Sequence, residues 1–240
     1  MGFMSVLSFA HKLTEGRLQP GGRAIDATVG TGADTLFLAK AAGPRGGVYG
    51  FDIQPAALAL AEERLRLARE EARAPLSPVT LLLQSHAAMA EAVPPDWRGT
   101  VSAVMFNLGY LPSGDADKTI ITEPASTLAA LEAALALLRP GGIITAVLYP
   151  GHEGGDREAA AVEAWAAGLP SRQAQAIVYR QLQRASAPYT LAVEKKKKRI
   201  CRWPEPRWST STLGNGSRCF FFDGPDEEKP EFFKSAQNSK

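Results

Sequence analysis

Asn107-Leu-Gly-Tyr110 sets an amide and a phenol ring directly after an apolar run, Val101 to Met105, that reads as a buried strand. In open α/β sheets, ligands bind at the carboxyl ends of the strands. An Asn carbonyl placed there can accept N–H bonds from an amine, while the ring of Tyr110 can stack on a planar base. An ordinary turn leaving the strand accounts for the same four residues, so what surrounds the loop has to decide.

A second constellation is Asp26-Ala-Thr-Val-Gly30-Thr-Gly32-Ala-Asp34-Thr35, which leaves one expected strand and enters a helix. Glycines at such a turn let a ligand approach the backbone, and the helix N-terminus offers free N–H groups. A nicotinamide site would carry Gly-x-Gly-x-x-Gly. Thr35 stands at the third glycine position, which weakens a dehydrogenase reading. The spacing instead resembles the first motif of S-adenosylmethionine enzymes, with Thr28 where a further glycine often occurs. Thr28, Gly30, Thr31, Gly32, Asp34 and Thr35 are the candidate cofactor contacts; the competing reading is a glycine-rich strand-to-helix turn.

Asp52 ends the next strand, 20 residues after Gly32. A carboxylate there can accept both hydroxyls of a ribose, or it can cap the helix that begins at Pro55. Gln54 follows as a neighbouring contact. Gln84-Ser85-His86 ends a third strand, where an adenine ring would lie; Ser85 can bond its polar edge and His86 can lie against its face or be a surface histidine. Tyr149-Pro-Gly-His152-Glu-Gly-Gly ends a fifth strand beside the same crevice. His152, with an ordinary pKa of about 6.5, could deprotonate an amine, or act as a structural hydrogen-bonder in a glycine loop. Asp115, Asp117, Lys118 and Glu153 are weaker candidates, as solvated loop charges would look the same. No residue spacing suggests a metal site.

These groups require an alternating α/β frame to bring them to one edge. Helices are expected at Val6–Gly16, Asp34–Ala41, Pro55–Arg73, Pro124–Leu138 and Arg157–Ala167. Strands are expected at Arg23–Thr28, Gly47–Asp52, Val79–Gln84, Val101–Phe106, Ile143–Tyr149, Gln175–Arg180 and Tyr189–Glu194. In the third helix Leu58, Ala61, Leu65 and Ala68 share one face. The whole suits a Rossmann-like, seven-stranded methyltransferase sheet with helices on both faces and the last strand antiparallel.

The 240-residue chain holds 27 Lys and Arg against 25 Asp and Glu, but the balance is uneven. Residues 195–240 carry 11 basic and 6 acidic residues, leaving 16 and 19 in residues 1–194. Net charge therefore says nothing of the fold or of nucleic acid. No run approaches the roughly 20 apolar residues of a spanning helix, and the N-terminus lacks a signal-peptide pattern. Cys201 and Cys219 have no metal-ligand spacing, so a reduced, cytoplasmic protein is expected. Residues 1–194 form the expected catalytic domain. Residues 195–240, a basic and Trp-containing tail without a helical or strand period, are expected to be disordered. A lysine run encoded by repeated adenines can also mark a frameshift, making the tail non-native; an intact frame on resequencing would refute that.

Phe106-Asn-Leu-Gly-Tyr-Leu-Pro, taken with the motifs above in their order, resembles the Asn-Pro-Pro-Tyr type loop of N-methyltransferases. More specifically, over about residues 6–194 the chain resembles the bacterial and plastid methylases labelled putative rRNA methylase, a family associated with methylation of tRNA 5-aminomethyl-2-thiouridine at the wobble position. Thr31 and Ala33 depart from the family's Gly-Asn-Gly-His-Asp-Thr, and Ala87 from the Glu after Ser-His. The resemblance implies S-adenosyl-L-methionine as cofactor and methyl transfer to the primary amine on uridine 34. The implied partner is a tRNA anticodon stem-loop, with no membrane, and a homodimer is left open. For that chemistry Asn107 and the Leu108 backbone carbonyl are expected to hold the amine N–H groups, Tyr110 to pack on the base, and Asn107 also to border the cofactor. An rRNA or small-molecule N-methyltransferase and a non-catalytic RNA-binding module are the alternatives.

Overall fold

A computed structural model describes residues 2–71, 74–109, 123–151 and 154–197, together with the backbone of residues 208–212 and 218–222. Two compact units are present, Met1–Lys198 and Arg199–Lys240.

In the first unit the chain runs α1 (Val6–Glu15), β1 (Arg23–Asp26), α2 (Ala33–Ala42), β2 (Gly47–Asp52), α3 (Pro55–Glu71) and β3 (Val79–Leu83). A 3-10 turn (His86–Ala88), the one-turn α4 (Met89–Ala92) and another 3-10 turn (Pro95–Trp97) lead to β4 (Val101–Asn107). Then come α5 (Pro124–Leu137), β5 (Leu138–Leu148), α6 (Gly155–Gly168), β6 (Ala174–Tyr179) and β7 (Tyr189–Lys195). The seven strands lie in the order β3-β2-β1-β4-β5-β7-β6. β7 alone is antiparallel to its neighbours, β5 and β6. All seven expected strands form, in a Rossmann-like sheet whose last strand in the chain is antiparallel.

Side-chain alternation along the strands feeds two cores. Ile25, Val104, Phe106 and Ile144 join Leu131 of α5 and Val162 of α6 on one face. Ala24, Met105, Ile143 and Val147 join Ala10 of α1, Leu38 of α2 and Leu65 of α3 on the other. Period-two burial on both faces explains why the strands read as nearly continuous apolar runs. On α3 the buried residues are Ala57, Ala61 and Leu65.

Most boundaries shift by a residue or two from expectation, and three of the differences have a visible cause. β1 stops at Asp26 because the Thr28 N–H turns back to the Asp26 carboxylate. β5 begins at Leu138 and runs through Arg139-Pro-Gly-Gly: Leu138 pairs with Val101, the register then shifts, and Gly141 takes a φ of 77°. That stretch is an irregularity inside the strand rather than a helix stop ahead of it. β7 reaches Lys195 because it keeps pairing with Ala174 of β6. The tail also departs from the expectation of no regular structure. In the second unit β8 (Trp208–Thr212) pairs antiparallel with β9 (Arg218–Phe222). The Ser/Thr alternation and the Phe220–Phe222 run carry enough strand propensity for a short hairpin.

The sheet order reverses between β1 and β4, both of which pair with parallel neighbours on either side. That switch point opens a crevice beyond the strand ends. Asp26, Asp52, Gln84, Asn107 and Tyr149 follow or close the five parallel strands on that edge.

Candidate active site

Asp26 anchors the glycine turn from below. It is wholly buried, and it accepts from the Thr35 hydroxyl at 2.6 Å and the Thr28 N–H at 3.1 Å. Burial, reinforced by the charge of Asp34, pushes its carboxyl up to about 7 against the lowering effect of those two donors. Thr35 thus serves the carboxylate, and the close packing that a third glycine would have allowed falls to Gly32. Gly32 sits at a φ of 75°, and a Cβ on it would lie 2.6 Å from the Ala61 backbone of α3. Between the glycines, the Thr31 carbonyl accepts from Arg64 at 2.7 Å.

Asp52 accepts from the Gly30 N–H and from the Gln54 N–H, both at 2.9 Å. It therefore ties the first two strand-end loops together instead of capping the interior of α3. Each oxygen has one backbone donor, which leaves acceptor capacity for a diol. Gln54 is nearly buried. Ser85 accepts from the Ala87 N–H at 3.3 Å and so caps the 3-10 turn. His86 is not a surface histidine. It is buried, 5.9 Å from the Phe106 ring, with Nδ1 3.1 Å from the Ala27 carbonyl. Burial lowers its pKa, so Nδ1–H donates to that carbonyl and Nε2 is left as an acceptor.

Asn107 is held through its backbone. Its N–H donates to the Thr28 hydroxyl at 2.7 Å, tying it to the glycine turn. Its side chain lies near the phenol of Tyr149, just past β5. Burial and the nearby charge of Asp34 raise the Tyr149 pKa above 10.0, and the Asn107 side chain opposes them. Asp34 in turn meets His11 of α1, Nε2 to Oδ1 at 2.6 Å, and the His11 ring stacks on Phe37 at 3.9 Å.

Asp26, Thr28 and Asn107 are thus linked by direct bonds on one edge, and Asp52 joins them through the Gly30 N–H. Tyr110 and His152, with Asp115, Asp117, Lys118 and Glu153, lie outside the described residues. Sequence reasoning missed His11 and Tyr149. Tyr149 opens the Tyr-Pro-Gly-His motif, whose histidine carries the more obvious chemistry; His11 carries no local signal, since only the fold brings α1 beside α2. Among the described residues no group of three or more His, Cys, Asp or Glu could hold a metal.

The family model for "Putative rRNA methylase" matches residues 48–195. The chain belongs to that family. It is 39% identical over 197 residues to the Arabidopsis thaliana protein named "tRNA (mnm(5)s(2)U34)-methyltransferase, chloroplastic", covering 78% of this chain and 68% of that one. A putative rRNA-methylase from Clostridium thermocellum is similar at a TM-score of 0.73 and 35% identity, over 81% of this chain and all of that one. A putative methyltransferase from Streptococcus mutans, solved in complex with SAH, gives 0.69 and 30%, over 81% and 99%. This member of the rRNA methylase family is an S-adenosylmethionine-dependent methyltransferase. Its residues fit the cofactor: a strand-end carboxylate with spare acceptor capacity at Asp52 suits a ribose, and the Nε2 acceptor of His86 suits an exocyclic amine.

Proposed function

We propose that this methyltransferase methylates the primary amine of 5-aminomethyl-2-thiouridine at position 34 of tRNA, with the anticodon stem-loop as its partner and the cytoplasm as its compartment. The observation that carries the reading is the bond from the Asn107 N–H to the Thr28 hydroxyl at 2.7 Å, which fixes the Asn loop to the cofactor turn. An amide held in that way can accept an amine N–H at the sheet edge where the cofactor loop ends. The name of the plant relative points to the same substrate.

Bound S-adenosylmethionine supplies an electrophilic methyl group on sulfonium. Gly30, Gly32, Thr31, Asp34 and Thr35 line its turn, Asp52 and Gln54 take the ribose side, and Ser85 and His86 take the adenine side. Asn107 and the Leu108 carbonyl hold the amine hydrogens so that the nitrogen lone pair faces the methyl carbon. Tyr110 packs on the base, and His152 acts as a structural hydrogen-bonder. Such orientation supplies most of the acceleration in a displacement that needs no covalent intermediate. Among the described residues no helix is long and apolar enough to cross a membrane.

The test is mass spectrometry of tRNA nucleosides from a deletion strain, complemented with wild-type or Asn107→Ala protein. The deletion is expected to accumulate 5-aminomethyl-2-thiouridine, and the wild type to remove it. Asn107→Ala is expected to bind cofactor normally and methylate at least 100-fold more slowly, in the range of a lost orienting contact. An unchanged nucleoside profile on deletion refutes the substrate. A fully active Asn107→Ala refutes the role of the amide.

A further inference from the structure

Resting on the tRNA reading, we infer that residues 180–188, the hairpin joining β6 to β7, and residues 2–5 beside it form the surface that takes the RNA strand flanking the target nucleotide. Arg184 meets a phosphate there, and Phe3 stacks on a base. A nucleotide presented at Asn107 brings its neighbours with it, and they must cross one half of the sheet edge or the other. The half closed by β1, β2 and β3 carries the glycine turn, Asp52 and His86, which suit the cofactor. The ends of β5, β7 and β6 are left for the RNA.

Strand pairing fixes where the hairpin stands. Asn107 pairs with Val147, Val147 with Thr190, and Thr190 with Tyr179. These four residues make one line across the sheet, three strand spacings long, or about 14 Å at roughly 4.8 Å each. Arg180 opens the hairpin at the far end of that line. Residues 2–5 are tied to the same line. The Thr190 hydroxyl donates to the Val6 carbonyl at 2.8 Å, and the Tyr179 phenol donates to the Met4 carbonyl at 2.9 Å. The loop after β5 lies against the hairpin as well, since a Cβ on Gly151 would be 2.8 Å from the Ser186 carbonyl oxygen.

The side chains of this surface match an RNA backbone and its bases. Residues 1–194 hold 16 basic and 19 acidic side chains, yet residues 2–10 and 180–188 contain two arginines and no Asp or Glu. The patch is thus acid-free on an otherwise acidic body, and a phosphate approaching it meets no like charge. Arg180 is committed to the root of the hairpin, paired with Glu163 at 3.2 Å and lying over the Tyr189 ring at 5.4 Å. Arg184 is exposed, and its carbonyl accepts from the Ala187 N–H at 3.1 Å, which closes the turn that presents it. Among the described residues its guanidinium meets no carboxylate. Phe3 is 97% exposed, an aromatic face open to a stacked base. Phosphate contact and stacking both tolerate any sequence, so this surface positions the stem-loop and leaves the choice of nucleotide to the Asn107 loop.

The test is binding of an unmodified anticodon stem-loop RNA to the full chain over about 50 to 200 mM salt, read by fluorescence anisotropy. Methylation of aminomethyl-bearing tRNA from the deletion strain is measured alongside. Arg184→Ala is expected to bind about fivefold more weakly at about 0.1 M salt, with the slope of log affinity against log salt shallower by about 0.7, the share of one single-strand phosphate contact. Phe3→Ala is expected to lose about tenfold with the slope unchanged. In methylation both losses should fall on KM for tRNA, with kcat, Tm and S-adenosylmethionine affinity unchanged. Arg184→Lys keeps the charge and is expected to keep the wild-type slope. Arg172→Ala removes an exposed arginine ahead of β6, at the opposite end of that strand, and is expected to bind as wild type. The inference is overturned if Arg184→Ala keeps the wild-type slope, if Phe3→Ala keeps the wild-type affinity, or if Arg172→Ala loses as much as Arg184→Ala. Any of these, with the tRNA still methylated, leaves the substrate reading standing. A wild-type chain that binds the stem-loop with the expected pattern but leaves the aminomethyl group untouched overturns the substrate reading and not the surface.

Discussion

Replacing Asp26 by Asn reverses sign with pH. The wild-type carboxyl is wholly buried and moves from the ordinary 3.8 to about 7 on folding, chiefly through burial and then through the charge of Asp34. A raised carboxyl holds its proton in the folded chain while the unfolded chain has already released it. Its stabilising contribution is therefore complete below about pH 4 and is lost as pH rises towards 7. At about 1.4 kcal/mol per pH unit, held over roughly three units, the loss reaches about 4 kcal/mol. Asn cannot ionise, so the variant escapes that loss. It carries instead a fixed cost of about 1 kcal/mol, because its amide must meet both the Thr35 hydroxyl and the Thr28 N–H. Asp26→Asn should then be about 0.5 kcal/mol less stable than wild type at pH 4 and about 3 kcal/mol more stable at pH 8, with the crossing near pH 4.5. Urea unfolding of both proteins at half-unit steps of pH reads this directly, since acid effects shared by the two cancel in the difference. A difference that stays flat between pH 4 and 8, or that runs the other way, refutes the burial argument.

Two further outcomes follow from the core and from the boundary of the first unit. Thr145 on β5 is buried, and among the described residues its hydroxyl has no hydrogen-bond partner. Thr145→Val should stabilise by about 1 kcal/mol and raise Tm by roughly 2–4 °C; a lower Tm by calorimetry would contradict it. Ending the chain after Lys198 keeps the whole first unit, including the Lys195 ammonium that donates to the Leu135 and Leu138 carbonyls at 2.8 and 2.7 Å. The shortened protein should match the full chain in Tm and in methylation rate. Loss of either in paired assays would show that the tail contributes.

The fold was legible because its signals are local. Strands buried on both faces read as apolar runs, and Gly or Pro marks several of the breaks between elements, as at Gly43-Pro44. β5 was misjudged at its start because Arg139-Pro-Gly-Gly has the composition of a helix stop, whereas pairing of Leu138 with Val101 draws it into the sheet. The tail hairpin was missed because five-residue strands carry too little pattern to stand out from a Ser- and Gly-rich stretch.

Residue type and order alone determined that a carboxylate, a glycine turn, an Asn loop and a second glycine loop would each end a strand, because strand ends are set by local sequence. Which atoms then bond was decided by tertiary structure. The glycine turn holds Asn107 through Thr28, 79 residues away. His11 reaches Asp34 only because α1 and α2 lie on the same face of the sheet. The shifted carboxyl of Asp26 likewise comes from burial and from charges on other elements. No spacing along the chain encodes such contacts, since they depend on how separate elements pack in three dimensions.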